Sequence, residues 1–342
     1  MHMANELLSL PIAGGGLVVA GGALGLICRK AKQVITSGKL ALMGILGAFV
    51  FAAQMVNFRL PAMPGTSGHI VGAVLLAIIL GPHAAAIVMA SVVIVQCLIF
   101  QDGGLLALGC NIINMALIPT YAGYYLYRIV AAKPFSNFRT YVGVMLACLI
   151  GIEIGAVLVP VQAALSGVLV IPFSTFLITM ISVHFLVGTV EGIVTVTVLV
   201  YIQQVRPDIV AGNLQGKVRL SRRTALATFA VFTIIIGAGL SLLASGMPDG
   251  LEWSYAERPD QPNFEPIISN SDSRIAAVDK LQSKYSLMPE YSVRNNDEDE
   301  KHQASAGWTS FAGVFGSITT MAVIWLTAWI LRRRNSGAIV TR

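Results

Sequence analysis

The chain has 342 residues and a mass of 36.3 kDa; 55% of its residues are hydrophobic, only 12% are charged, and the mean hydropathy is +0.74. Soluble domains carry about 25% charged residues, so this composition excludes a water-facing surface over most of the chain. The net charge of +6 sits in short basic clusters between apolar runs, which excludes a continuous phosphate-tracking face and with it nucleic acid as a partner.

In chain order the apolar runs predict spanning helices over 7–28, 40–57, 68–81, 83–100, 105–127, 141–165, 174–204, 224–245 and 308–331. The fold class is therefore all-α, a polytopic transmembrane bundle of about nine helices with membrane lipid around it. The run 68–81 is short and ends at Gly81-Pro82, as expected of a half-helix tilted or sunk within the bundle. The run 174–204 is longer than a bilayer needs and is expected to tilt or project into water.

Lysine and arginine alternate across these runs. Segments 29–39, 81–82, 128–139, 205–223 and 332–342 hold 4, 0, 3, 5 and 4 of them, whereas the intervening segments hold Arg59 and six in one long polar loop. The positive-inside rule then places the N-terminus outside and the C-terminus in the cytoplasm. Nothing basic precedes Arg29, and no small-residue cleavage site follows the first run, so the first helix is expected to be retained.

Between Met247 and Ala306 the composition changes, and 12 of the 17 acidic residues fall there. This extracytoplasmic loop 247–306, with an apolar helix on either side, reads as part of an appended module. The expected domains are a core over 1–220, of about seven helices, and a module over 221–342, with the boundary in the basic linker Arg206 to Arg223. The run Asn295–Lys301 reads as a solvated acidic stretch.

Signatures of catalysis are missing. The stretch Gly212–Val218 is not a Walker A loop, because three residues separate its glycines and no Ser or Thr follows Lys217. HExxH, GxSxG and a carboxylate pair at helical spacing are also absent. The chain is therefore expected not to be an enzyme. The four cysteines (Cys28, Cys97, Cys110, Cys148) lie in or beside apolar segments without a CxxC pair and read as small core residues.

Glu153, Glu191 and His184 are ionisable groups inside apolar runs and hence functional suspects. His184 and Glu191 lie seven residues apart, about two helical turns, so they share a helix face. The pair reads as a buried polar contact that fixes helix packing, with a coupling role as the alternative.

Of five histidines, His302 sits in the acidic loop as an exposed bystander, and His83 follows Gly81-Pro82 at a predicted cytoplasmic end. His2 and His69 map to the outer side. In a free Met1-His2 terminus the amine and the His2 amide nitrogen close a five-membered chelate, and the His2 imidazole closes a six-membered one. His69 supplies a fourth nitrogen, and four nitrogens in a plane select Ni(II) or Cu(II) over tetrahedral zinc. On residue types alone an incidental histidine stays the simpler reading.

Five motifs in order change that balance: Met1-His2, FAAQMVNF (Phe51–Phe58), GTSGH (Gly65–His69), DGGLLALGCNIINM (Asp102–Met115) and HFLVGTVEG (His184–Gly192). Over about residues 1–220 the chain resembles the NikM/CbiM group, the substrate-specific membrane components of energy-coupling factor (ECF) transporters for nickel and cobalt. The module, with MPDGLEW (Met247–Trp253) just after its first helix, resembles the small partner NikN fused in one chain.

The resemblance implies that Met1, His2 and His69 bind the metal, with Gln54, Asn57, Ser67 and Asn111 as the polar groups that orient those ligands. It implies Ni(2+), with Co(2+) as the alternative, as transported ligand and not as cofactor. As partners it implies a transmembrane coupling subunit (NikQ/CbiQ-like) and a cytoplasmic ATPase (NikO/CbiO-like) in a prokaryotic inner membrane.

Gly21 and Gly25 on the first helix offer a small-residue face to the coupling subunit, or to this chain's own bundle. Two departures stand out. The family's MHIPDGFL start is MHMANELL here, without the Pro-Asp-Gly turn, and the segment between Phe58 and Gly65 is about two residues longer than usual. A rival of another class is a secondary ion transporter working through Glu153, Glu191 and His184.

Overall fold

Helix α1 (Leu10–Ala31) has Pro11 in its first turn, where no backbone N–H is needed, and Arg29 and Lys30 in its last, where cations suit the helix dipole. Its apolar side chains point outward, with Val18 76% and Val19 59% exposed. Such a surface suits lipid or another helix. α2 (Ser37–Gln54) starts at Thr36, whose hydroxyl accepts the Lys39 N–H, and every residue from Leu46 to Gln54 is buried. The computed structural model describes residues 1–33, 35–131, 138–209, 220–256, 258–292 and 306–336. Most of the linker Arg206 to Arg223, the run Asn295–Lys301 and His302 lie outside the described residues.

Two of the nine expected runs take another form. Run 68–81 contains α3 (Ala73–Leu80), eight residues and about 12 Å long, too short to span. Gly72 and Gly81, at φ 79° and 78°, bracket it in a conformation that glycine adopts without strain, and all eight residues are buried. It is a half-helix sunk in the bundle, as its length foretold. α4 (Pro82–Phe100) follows directly. Run 105–127 becomes α5 (Leu108–Asn111), a π-helical turn over Ile112–Leu117, and α6 (Ile118–Val130) with Pro119 in its first turn.

α7 (Phe138–Ser166) and α8 (Phe173–Val205) pack along each other and are followed by the module. α8, at 33 residues, runs about 50 Å and exceeds the hydrocarbon core. Seven helical segments among the described residues are long and apolar enough to cross a membrane: α1, α2, α4, α7, α8, Arg222–Leu243 and Gly307–Arg333. The sixth begins as α9 (Arg222–Ile234) and the seventh lies in α12 (Ala306–Ser336). α9 and α12 both pack on α2.

The polar region is not an open loop. It contains α10 (Gly250–Tyr255) and α11 (Ser273–Tyr285), and it folds back over the end of the bundle where α1 begins. Main-chain bonds tie it down: Ser67 N–H donates to Pro248 O at 2.9 Å, Val170 N–H to Ile267 O at 3.0 Å and Met288 N–H to Ile99 O at 3.0 Å. Its own Trp253, Tyr255 and Ile267 are buried.

Candidate metal centre

The N-terminal strand of chain runs inward from α1 and is buried under this cap. Met3 is fully buried; its N–H donates to Asn111 Oδ1 at 2.8 Å, and its carbonyl accepts the Asn111 amide at 3.1 Å and the Gly104 N–H at 2.9 Å. Asn5 Oδ1 accepts the N–H groups of Leu106 and Ala107. These contacts fold the terminus without the Pro-Asp-Gly turn that the family start has in this place. A Pro-Asp-Gly does reach the site from the module, as Pro248-Asp249-Gly250. The Asp249 side chain caps α10 in a capping box with Glu252 and also accepts the Met1 ammonium on Oδ2 at 2.9 Å.

His2 and His69 come together with ring centroids 5.5 Å apart and planes 21° from parallel. His69 Nδ1–H donates to Ile70 O at 3.1 Å, which leaves Nε2 as the lone-pair nitrogen; Nε2 stands 4.0 Å from Asp249 Oδ2. Burial, the Met1 ammonium and the neighbouring His2 lower the His69 imidazole to about 4, so the ring is neutral at physiological pH. His2 Nε2–H donates to Gln96 Oε1 at 3.1 Å, and His2 Nδ1 lies 2.9 Å from Asp102 Oδ1. Nδ1 has to leave Asp102 before it can hold a metal.

Both carboxylates stay charged. Burial opposes the charge on Asp102, but the His2 ring and hydrogen bonds from His2 and the Tyr291 hydroxyl hold it at about 2. Burial also opposes the charge on Asp249, and the Met1 ammonium and His69 hold its carboxyl well below the usual range.

Asn111 touches the terminus at Met3, and Gln54 reaches it through Gln96. Gln96 donates to Gln54 Oε1 at 2.7 Å, and Gln54 donates to Val71 O at 2.6 Å, so a chain of amides runs from His2 to the His69 segment. Ser67 pairs with the module instead of the terminus: its hydroxyl donates to Met247 O at 2.8 Å. Asn57 lines the larger opening, of about 460 Å³, and its carbonyl accepts the Ser245 N–H. The longer Phe58–Gly65 segment ends in a two-strand hairpin, Phe58–Arg59 against Ser67–Gly68, with Gly65 close against Asp260 of the module.

The expected contact between His184 and Glu191 is replaced by other partners. Glu191 accepts the N–H groups of Val71 and Gly72 at 2.6 and 3.0 Å, and His184 Nδ1–H donates to Met180 O at 2.8 Å. Irregular backbone at membrane depth persists only where protein groups satisfy it, and Glu191 does that for the turn into α3. His184 instead lines a small cavity of about 10 Å³ together with Met1, His69 and Asp249. That is about the space of one water-sized sphere. Glu153 is half-buried on α7, with neither carboxylate oxygen hydrogen-bonded among the described residues. Gly21 and Gly25 have nothing within 4 Å of where a Cβ would stand, so their face is open rather than packed in this chain's own bundle.

Sequence reasoning did not assign Asp102, Asp249 or Gln96 to the site. Asp102 and Asp249 each lie in a motif quoted above, and Gln96 is a lone amide in an apolar run. Among the described residues no three His, Cys, Asp or Glu side chains converge as a ready cage. Amine and amide nitrogens would have to complete a site here.

The family model described as the cobalt uptake substrate-specific transmembrane region matches residues 2–209, and that of the PDGLE domain matches 223–333. A putative fused nickel transport protein, NikMN, from Archaeoglobus fulgidus is 39% identical over 258 residues, covering 74% of this chain and 84% of its own. A probable fused nickel transport protein, LarMN, from Lactiplantibacillus plantarum is 33% identical and covers 75% and 79%. The crystal structure of a truncated transition metal transporter superposes with a TM-score of 0.53 at 28% identity, over 59% of this chain and 98% of that one. With a family match over more than half its length and the PDGLE domain behind it, the chain belongs to the CbiM/NikMN family of nickel and cobalt transport proteins and is a multi-pass membrane protein.

Proposed function

We propose that this protein is the substrate-specific membrane component of an ATP-driven, ECF-type nickel uptake transporter. The observation that carries the reading is that Met1 and His69 line one small cavity under the module, with the His2 ring stacked on that of His69 and lining the larger opening beside it. Met1 supplies its amine, His2 its amide nitrogen and Nδ1, and His69 its Nε2. Gln54, Asn111 and, through the module, Ser67 position those groups; Asn57 stands at the entrance. The chain divides into a capturing core over 1–220 and a module over 221–342 that caps it.

Nitrogen donors in one plane favour Ni(II) over Co(II), and several relatives are named for nickel. Others are named for cobalt transport, among them a CbiM from Acetoanaerobium sticklandii, and Co(II) uptake through the same ligands is the alternative. Hydrolysis of ATP belongs to a separate ATPase, joined through a coupling subunit that docks on the open Gly21/Gly25 face. The site faces the outside of the cytoplasmic membrane and the basic helix ends face the cytoplasm. A secondary ion path through Glu191 draws little support from a carboxylate committed to two main-chain N–H groups.

The test is Ni(II) binding by calorimetry and absorption on purified protein with a native Met1, beside a form carrying two extra N-terminal residues, with Co(II) in parallel. One Ni(II) with a square-planar spectrum, lost on extension, is expected. Equal binding by both forms, or by neither, overturns the reading.

A further inference from the structure

At the far end of the bundle from Met1, the first turn of α2, the end of α3, the residues after α8 and the first turn of α9 enclose a cavity of about 250 Å³. Its volume is on the order of eight water molecules. Among the described residues three cations line it, Lys39, Arg206 and Arg222, against a single carboxylate, Asp208. That carboxylate is already engaged: Arg206 donates to it through Nε at 2.8 Å and through a terminal nitrogen at 2.6 Å. Among the described residues no carboxylate lies within ion-pair distance of Lys39 or Arg222. The wall therefore carries three cations against one carboxylate, and Arg222, which feels Asp208 only at longer range, and Lys39 have no ion pair of their own among the described residues.

Placement of these cations is built into the packing. The guanidinium of Arg222 lies against Gly38 at the start of α2, in the space that a side chain there would take. Lys39 comes from the core and Arg222 from the module. The N-termini of α2 and α9, both capped by hydroxyl side chains, add the positive ends of two helix dipoles. Deeper in, the lining turns apolar, with Leu42, Leu226 and Phe229. Charge at the helix ends above an apolar wall matches the cross-section of a phospholipid, and basic pockets between spanning helices recognise anionic headgroups.

We infer that this cavity is a phosphate-binding site occupied by the headgroup of an anionic phospholipid, bridging Lys39 of the core to Arg222 of the module. The shared chemistry is a phosphate oxyanion held by an ammonium and a guanidinium, and a free phosphate would use the same groups. The lipid source is favoured because the pocket opens at the helix ends and continues into apolar wall. The site pins α9 onto α2 from the side opposite the metal centre, and it does not depend on the metal reading.

Native mass spectrometry and thermal unfolding of the full-length purified protein test this, with phosphatidylglycerol, phosphatidylcholine or inorganic phosphate added. Retained phosphatidylglycerol and a raised unfolding midpoint are expected, at least threefold above phosphatidylcholine in occupancy. K39Q and R222Q should each reduce that occupancy at least threefold, and K39R should restore it. Stabilisation by inorganic phosphate equal to that by phosphatidylglycerol, and lost in the same variants, would keep the anion site but overturn the lipid assignment. Equal retention of both lipids, or retention that K39Q and R222Q leave unchanged, overturns the site. Size-exclusion profiles and helical circular dichroism establish that each variant is folded; should R222Q fail that check, K39Q with its K39R rescue carries the decision.

Discussion

The donors proposed for the metal rest on carboxylates, Met1 on Asp249 and His2 Nδ1 on Asp102. Capture has to displace the ammonium proton, the His2 amide proton and the Nδ1 proton that His2 shares with Asp102, whereas His69, lowered to about 4, brings none at neutral pH. Lower pH therefore weakens binding, and between pH 5 and 7 the log of the Ni(II) affinity should rise by up to about three per pH unit. Calorimetry in buffers of different ionisation enthalpy reads the proton count directly; a pH-independent affinity would show that main-chain nitrogen takes no part. Glu191 supplies two acceptors to adjacent N–H groups at the start of α3. In E191Q one of those donors faces an amide NH₂ instead, at a cost of about 1–3 kcal/mol. A lower unfolding midpoint and weaker Ni(II) binding should appear together, because the His69 segment loses its support; a normal midpoint with lost transport would favour an ion-path role.

At the level of elements, the module's own helix pair depends on close approach. A Cβ on Gly313 of α12 would meet the Gly237 carbonyl at 1.9 Å, where the helix begun by α9 runs through a π-helical turn over Ile235–Gly239. Backbone cannot yield as a side-chain tip does, so G313A should separate the two helices and destabilise the protein by about 1–3 kcal/mol. Thermal unfolding checks this, with G239A as the contrast because nothing lies within 4 Å of that position. The same logic explains the broken runs of the core. α3 is bracketed by left-handed glycines and ends before Pro82, so an apolar stretch of spanning character becomes a buried half-helix. Its short length and Gly81-Pro82 were legible from residues alone. The replacement of run 105–127 by two helices around a π-helical turn was not, because hydropathy does not distinguish α from π pitch.

Across the whole molecule, one end gathers the terminus, His69 and the PDGLE segment, and one side of α1 is left open. No described residue stands within 4 Å of where a Cβ on Gly21 or Gly25 would sit, so bulk placed there should not disturb the fold. G25L is expected to bind Ni(II) as the unaltered protein does in detergent, yet to lose co-purification with the coupling subunit and uptake in cells. Retained uptake would move the docking face elsewhere. Composition, hydropathy and charge alternation sufficed for the membrane class and the helical architecture, since a chain with 12% charged residues has few other ways to satisfy its backbone. Motif order sufficed for the family and for Met1, His2 and His69 as candidates, because local chelate chemistry is written in adjacent residues. The tertiary structure alone decided that Asp249, 248 positions from Met1, holds the amine. It also decided that His184 and Glu191 serve different neighbours, and that the polar region is a folded cap. Those are contacts between distant segments, set by how helices pack and by which buried polar groups need partners, and no spacing along the chain encodes them.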